Sequence, residues 1–282
     1  MRPPPSANPV PRISWRDLAP MRRSDTIAEL LHPLPWLVCS LLLAQAGWWL
    51  AALPCSFMVF LTALRLNHEA IHGNLGLARR GDRAVLHSLS AMMLGSNHAV
   101  AFNHLHHHAT DMGPEDHEGH CGRLSLIGVL AYGPCYPVDM HCLAWRKGDG
   151  GLRRRMALDA ALNLLVLGLA FGPFFGSALT YHVSVMLLAQ SLTAFFAVWI
   201  THHGCAEESL TARTQRNRWI NRFTYSMFFH LEHHHYPRVP VSRLHILAQR
   251  LDSASPTFAA TARRVIWEPK GAGRLQAEQG AE

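Results

Sequence analysis

Two long stretches of the chain carry no charge. Between Glu29 and Arg65, and again between Asp159 and Glu207, there is no Asp, Glu, Lys or Arg. Crossing ~30 Å of hydrocarbon takes about 20 residues as a helix, so each run is too long for one crossing. Each reads as a pair of helices joined by a short uncharged turn. The first turn falls near Ala51–Pro54, after the interfacial pair Trp48 and Trp49. The second falls near Gly172–Ser177. The first pair is cramped, so its second helix is expected to continue past the lipid, through Arg65 towards His72. Ala84–Leu94 and Leu124–Tyr136 are apolar but too short to span; the first reads as an interfacial helix or a re-entrant segment, the second as interfacial. Ser242–Ser253 is amphipathic, with Leu244, Leu247, Ala248 and Leu251 on one face. The predicted fold is therefore an all-α membrane protein: four transmembrane helices in two hairpins, a cap and interfacial helices.

Residues 1–28 read as a basic N-terminal tail, in which Ser24, Asp25 and Thr26 could cap a short entry helix. Residues 29–254 form the membrane domain, and 255–282 a polar C-terminal tail. Composition agrees with a membrane protein. Of 282 residues, 49% are hydrophobic and 16% charged, against about 25% charged in an ordinary soluble domain. The N-terminus has no early apolar run, so no signal peptide is expected. Six cysteines show no Cys-x-x-Cys spacing and read as small apolar residues.

Arginines sort to one side. Arg12, Arg16, Arg22 and Arg23 precede the first pair. Arg79, Arg80, Arg83, Arg123, Arg146, Lys147 and Arg153 to Arg155 lie between the pairs, and Arg213, Arg216, Arg218 and Arg222 follow the second. The positive-inside rule then places both termini and the central loop in the cytoplasm. The net charge of +7 suits a surface facing anionic lipid. No nucleic-acid motif accompanies it.

The chemistry lies in 20 histidines. His230, His233 and His234 stand at i, i+3 and i+4, which places three imidazoles within roughly 100° of one helix face. His104, His107 and His108 repeat the pattern, and His68 and His72 stand at i, i+4. One closed zinc site needs four ligands; eight imidazoles suit two metal ions. All three clusters emerge on the same side of the membrane, so they can meet. His32, His87, His98, His117, His120, His141, His182 and His245 read as ordinary structural or surface histidines. His32-Pro33-Leu34 lacks a haem-binding signature, so no fused electron-donor domain is expected. His68-Glu69-Ala70-Ile71-His72 also spells the His-Glu-x-x-His of zinc proteases, a reading that leaves the other two clusters without a purpose.

His-x-x-x-His (68, 72), His-x-x-His-His (104, 107, 108) and Phe-His-x-Glu-His-His followed by Pro (229–237) together resemble the three histidine boxes of the membrane fatty acid desaturase superfamily, over roughly residues 30–250. The resemblance implies two non-haem iron ions and O₂ as co-substrate. It implies removal of hydrogen from an unactivated methylene of a lipid or acyl substrate, with electrons from an external ferredoxin-like or haem-cytochrome donor and its reductase. It also implies a further ligand at the end of the fourth helix, where Trp199-Ile-Thr-His-His offers His202 first and His203 second. The implied metal set is His68, His72, His104, His107, His108, His202, His230, His233 and His234. His203, Asp116, His106 and His235 are candidates for supporting positions around it, though His106 and His235 point away from their clusters. Lipid and carotenoid hydroxylases and ketolases resemble the pattern as well. The expected location is the inner membrane of a bacterium, with the site facing the cytoplasm.

Overall fold

The computed structural model describes residues 10–110, 112–172, 176–205, 211–261 and 265. Within them every regular element is helical.

The chain enters through α1 (Arg23–Leu31) and α2 (Pro33–Gln45), which run on as one apolar stretch through His32, itself helical. Leu34, Val38 and Leu42 form an exposed stripe along α2, as a lipid-facing helix requires. α3 (Trp49–His72) returns beside it. The turn between them lies at Ala46–Trp48, not at Ala51–Pro54. Gly47 takes φ +80° there, a conformation glycine adopts without steric cost. Pro54 is inside α3, its sixth residue, where the missing N–H costs one bond of the ladder. The two charges that bound the first uncharged run meet. Arg65 Nε donates to Glu29 Oε2 at 2.9 Å, and Arg65 also bonds the carbonyl of Tyr225. The ion pair pins the two ends of the hairpin together, and α3 continues for almost two turns beyond it.

α4 (Arg79–Met93) and α5 (Asn97–Thr110) follow, joined at Leu94 with φ 59°. Next come α6 (Leu126–Tyr132), α7 (Tyr136–Lys147) and α8 (Gly150–Phe171), the last capped by Asp149 accepting from Leu152 N–H. Asp159 on α8 is fully buried. It accepts from His87 Nδ1 at 2.6 Å, Ser96 Oγ at 2.6 Å and His98 Nδ1 at 3.0 Å. One carboxylate thereby ties α4, α5 and the turn between them to α8, its charge answered by three donors.

The second apolar run is not one straight helix. α9 (Ser177–Gln190) stops, and a π turn over Ala194–Trp199 leads into α10 (Ile200–His202), with a 46° bend between the halves. Among the described residues, Arg23–Gln45 and Trp49–His72 are long and apolar enough to cross a membrane; the bent pair makes a third if it counts as one span. α8, with Arg153 to Arg155 and Asp159 in its first half, is not among them. The predicted second turn overlaps residues 173–175, outside the described set.

α11 (Arg218–Phe223), α12 (His230–His235), α13 (Leu244–Ala254) and α14 (Pro256–Thr261) complete the chain. α13 buries Leu244, Leu247, Ala248 and Leu251, the face its periodicity marks. The expected N-terminal tail is docked from Val10 onward. Leu18 is buried in the cluster that holds α13, Trp15 meets Tyr236, and Arg250 pairs with Asp17 at 2.7 Å. Helix α1 begins at Arg23, so Ser24, Asp25 and Thr26 lie inside it; Thr26 Oγ1 donates to Leu75 O instead of capping. The expected C-terminal tail likewise contributes buried Phe258 and Val265, whose N–H donates to Thr214 O. Cys121 and Cys205 are buried, but Cys39, Cys135 and Cys142 are exposed.

Candidate metal centre

Four helical segments bring nine imidazoles together. α3 supplies His68 and His72, α5 supplies His104, His107 and His108, α10 supplies His202, and α12 supplies His230, His233 and His234. They fall into two groups. In the first, His68, His72, His104, His108 and His233 each place a ring nitrogen within 4.8 Å of the others. Nε2 of His233 stands 2.9 Å from that of His68 and 3.0 Å from that of His108; Nε2 of His104 is 3.1 Å from His72 and 3.2 Å from His108. In the second group, His107, His202 and His234 cluster in the same way. His230 joins them, its Nε2 3.0 Å from His202 and 3.2 Å from His234. The stacked rings of His108 and His234, 4.3 Å apart, link the two groups.

Three of the nitrogens facing the centre are bare: those of His104, His107 and His202. His202 Nδ1 is 2.9 Å from the carbonyl of Thr211, which can only accept, so Nδ1 carries the proton. His107 Nδ1 donates to Asp116 Oδ2 at 2.6 Å, and His104 Nδ1 to Glu118 Oε1 at 3.0 Å. Nε2 of His107 and of His202 therefore present lone pairs to each other across 3.2 Å. Two lone pairs at that separation repel, and a cation between them turns repulsion into binding. Donors held about 2 Å from one ion at a right angle stand about 3 Å apart. Burial works to the same end: it pushes the imidazoles of His230, His233 and His234 well below their usual range, and their neighbours push further. Neutral imidazole is the form that binds iron, zinc or copper.

Asp116 has burial acting to raise its carboxyl. The bond from His107 and the N–H groups of Gly119 and Met112 outweigh it, and hold the carboxyl below the ordinary aspartate range. Of the other three candidates for supporting positions, His106 faces the carbonyl of Glu115, His203 stacks on Trp199 at 4.3 Å, and His235 lies against Phe258. None of the three belongs to either imidazole group. Glu118 and the Thr211 carbonyl were not legible as partners. An acid two residues past Asp116 was the only signal, and a backbone carbonyl gives none. Glu69 lies behind its neighbour: Oε2 accepts the Val241 N–H at 3.1 Å, and Oε1 is 3.6 Å from His68 Nδ1, the nitrogen turned away from the group. A protease base would have to face the metal.

A cavity of about 90 Å³ adjoins both groups. Leu64, Ile71, Val100, Phe196 and Met227 give it apolar walls, and His68, His104, His230 and His233 reach it.

The model of the fatty acid desaturase family matches residues 46–265. The chain belongs to that family. The match takes in every cluster histidine, α3 through α13, and the cavity. No curated protein and no solved structure matches the chain. Membership makes this desaturase-family protein an oxidoreductase of the desaturase type, in a family that generally uses two irons, and its helices suit a membrane.

Proposed function

We propose that the protein is an integral-membrane di-iron enzyme that uses O₂ to desaturate a fatty acyl chain. The observation that carries this reading is the meeting of a largely apolar cavity with two groups of converging imidazole nitrogens. His68, His72, His104, His108 and His233 would hold one iron; His107, His202, His230 and His234 would hold the other. Two bound irons supply the O₂ activation and oxidising power that an unactivated methylene demands. The overall change converts –CH₂–CH₂– to –CH=CH–; the two hydrogen atoms removed, O₂, two electrons and two protons together leave as two waters. The electrons come from an external ferredoxin-like or haem-cytochrome carrier with its reductase.

The protein's own part is positioning. Asp116, Glu118 and the Thr211 carbonyl fix which nitrogen of His107, His104 and His202 is bare. The cavity walls keep water from the chain and hold its methylenes beside the imidazoles. The proposed arrangement has four spans, the latter half of α8 pairing with α9–α10. Both termini and the metal site lie on the cytoplasmic side of a bacterial inner membrane, where the arginines collect.

His107→Ala or His233→Ala should abolish iron binding and turnover in protein that still inserts. Metal analysis of the purified variants checks this, and wild-type iron content in either would end the reading. Mass spectrometry of host lipids with and without the gene identifies the product: a new double bond supports desaturation, whereas a new hydroxyl or keto group assigns the chain to oxygen insertion.

A further inference from the structure

The cavity is not apolar throughout. Asn67 is 3% exposed and Thr193 7% exposed, and both line it. Among the described residues, neither Asn67 Oδ1 nor Thr193 Oγ1 has a hydrogen-bond partner. Leaving a buried polar atom unpaired costs about 1–3 kcal/mol, and folded proteins rarely tolerate it. Other polar residues of the same wall are bonded to backbone. Asn103 Nδ2 donates to the carbonyls of Ala99 and Met140, Gln190 Nε2 donates to Met93 O, and His141 bonds Pro137 O and Ser96 N–H.

The backbone explains why Thr193 stands apart. A threonine in a regular helix donates back to the carbonyl three or four residues earlier, as Thr62 does to Met58 and Thr201 to Ala197. Thr193 occupies the break between α9 and the π turn, and its hydroxyl makes no such bond. π turns recur at functional sites. Here the distortion places an unspent hydroxyl on the wall of the proposed substrate cavity.

Asn67 lines the same cavity as His68, His104, His230 and His233. An amide oxygen needs a donor; were the amide turned over, its nitrogen would need an acceptor. A hydroxyl satisfies either orientation, and it also suits Thr193, because it both donates and accepts. We infer that the substrate is a hydroxylated lipid, an acyl chain whose hydroxyl group is recognised inside the cavity by Asn67 and Thr193. The inference rests on the acyl-lipid reading of the site and narrows it.

Binding tests it separately from turnover. Purified full-length protein is titrated with stearate and with a series of monohydroxystearates, each hydroxylated at a different carbon. At least one isomer should bind about tenfold more tightly than stearate, the difference one well-placed hydrogen bond makes. Asn67→Leu and Thr193→Val should each bring that ratio close to one while leaving iron content and melting temperature undiminished, since each removes an unpaired polar group and keeps its shape. Isomers that all bind within about twofold of stearate, or a ratio that survives both substitutions, would overturn the inference. So would variants that lose thermal stability with no preference in the wild type, which would show the cavity to hold structural water. Conversion of stearate itself reports on the reaction and leaves the binding ratio untouched.

Discussion

His107 has no exposed surface, and its ring lies between Asp116 on one side and His202 on the other. Its orientation depends on that carboxylate. Asp116→Asn can turn its amide nitrogen toward His107 Nδ1, which then favours the wrong tautomer. Metal affinity should fall by about 10- to 100-fold with the fold intact, as competition against a graded chelator would measure. The i, i+3, i+4 spacing made the inward-facing rings readable, because 100° per residue decides which side chains share a face. The same arithmetic turned His106 and His235 outward. What the spacing could not show were Glu118 and Thr211, whose partnerships depend on where loops close.

At the scale of elements, the segment Val10–Met21 behaves as a strap across α13. Arg250 bonds Asp17, and Arg243 bonds Asp25 at 2.9 Å and the carbonyl of Leu18. The bond from Arg250 holds the Asp17 carboxyl below its ordinary value. A depressed carboxyl pKa contributes stability that is present above the unfolded value and lost as pH falls through the folded one. Both partners are open to solvent, so the pair's share of the docking is small beside that of buried Leu18, and that share should be lost below about pH 3.9. Pepsin cleavage near Leu18 should rise modestly across that window, and in Asp17→Asn it should already be raised at its upper edge. Such contacts, more than 200 positions apart in the chain, leave no periodic trace, and composition alone marked residues 1–28 as a tail. The bend after α9 was equally hidden. The run from Asp159 to Glu207 is uncharged throughout, and Ser191-Leu192-Thr193 contains no proline or glycine to announce a break. The turn at Gly47 was visible in principle, but Pro54 drew the boundary towards itself.

For the whole molecule, sidedness is the open arrangement that labelling resolves. Cys142 is exposed on α7, one turn before the basic pair Arg146 and Lys147. A membrane-impermeant maleimide should leave Cys142 unmodified in intact cells and modify it in inverted vesicles. Labelling from outside would reverse the proposed orientation. The convergence of distant histidines was legible because uncharged runs and arginines placed all three clusters at one surface. Their division into a set of five and a set of four was not.

That division crosses the helices. α5 sends His104 and His108 to one set and His107 to the other; α12 sends His233 to the first and His230 and His234 to the second. A rotation of either rod disturbs both pockets at once. Neither pocket can be retuned or lost alone by shifting these helices, so any redesign of the reactivity must treat the two as one object.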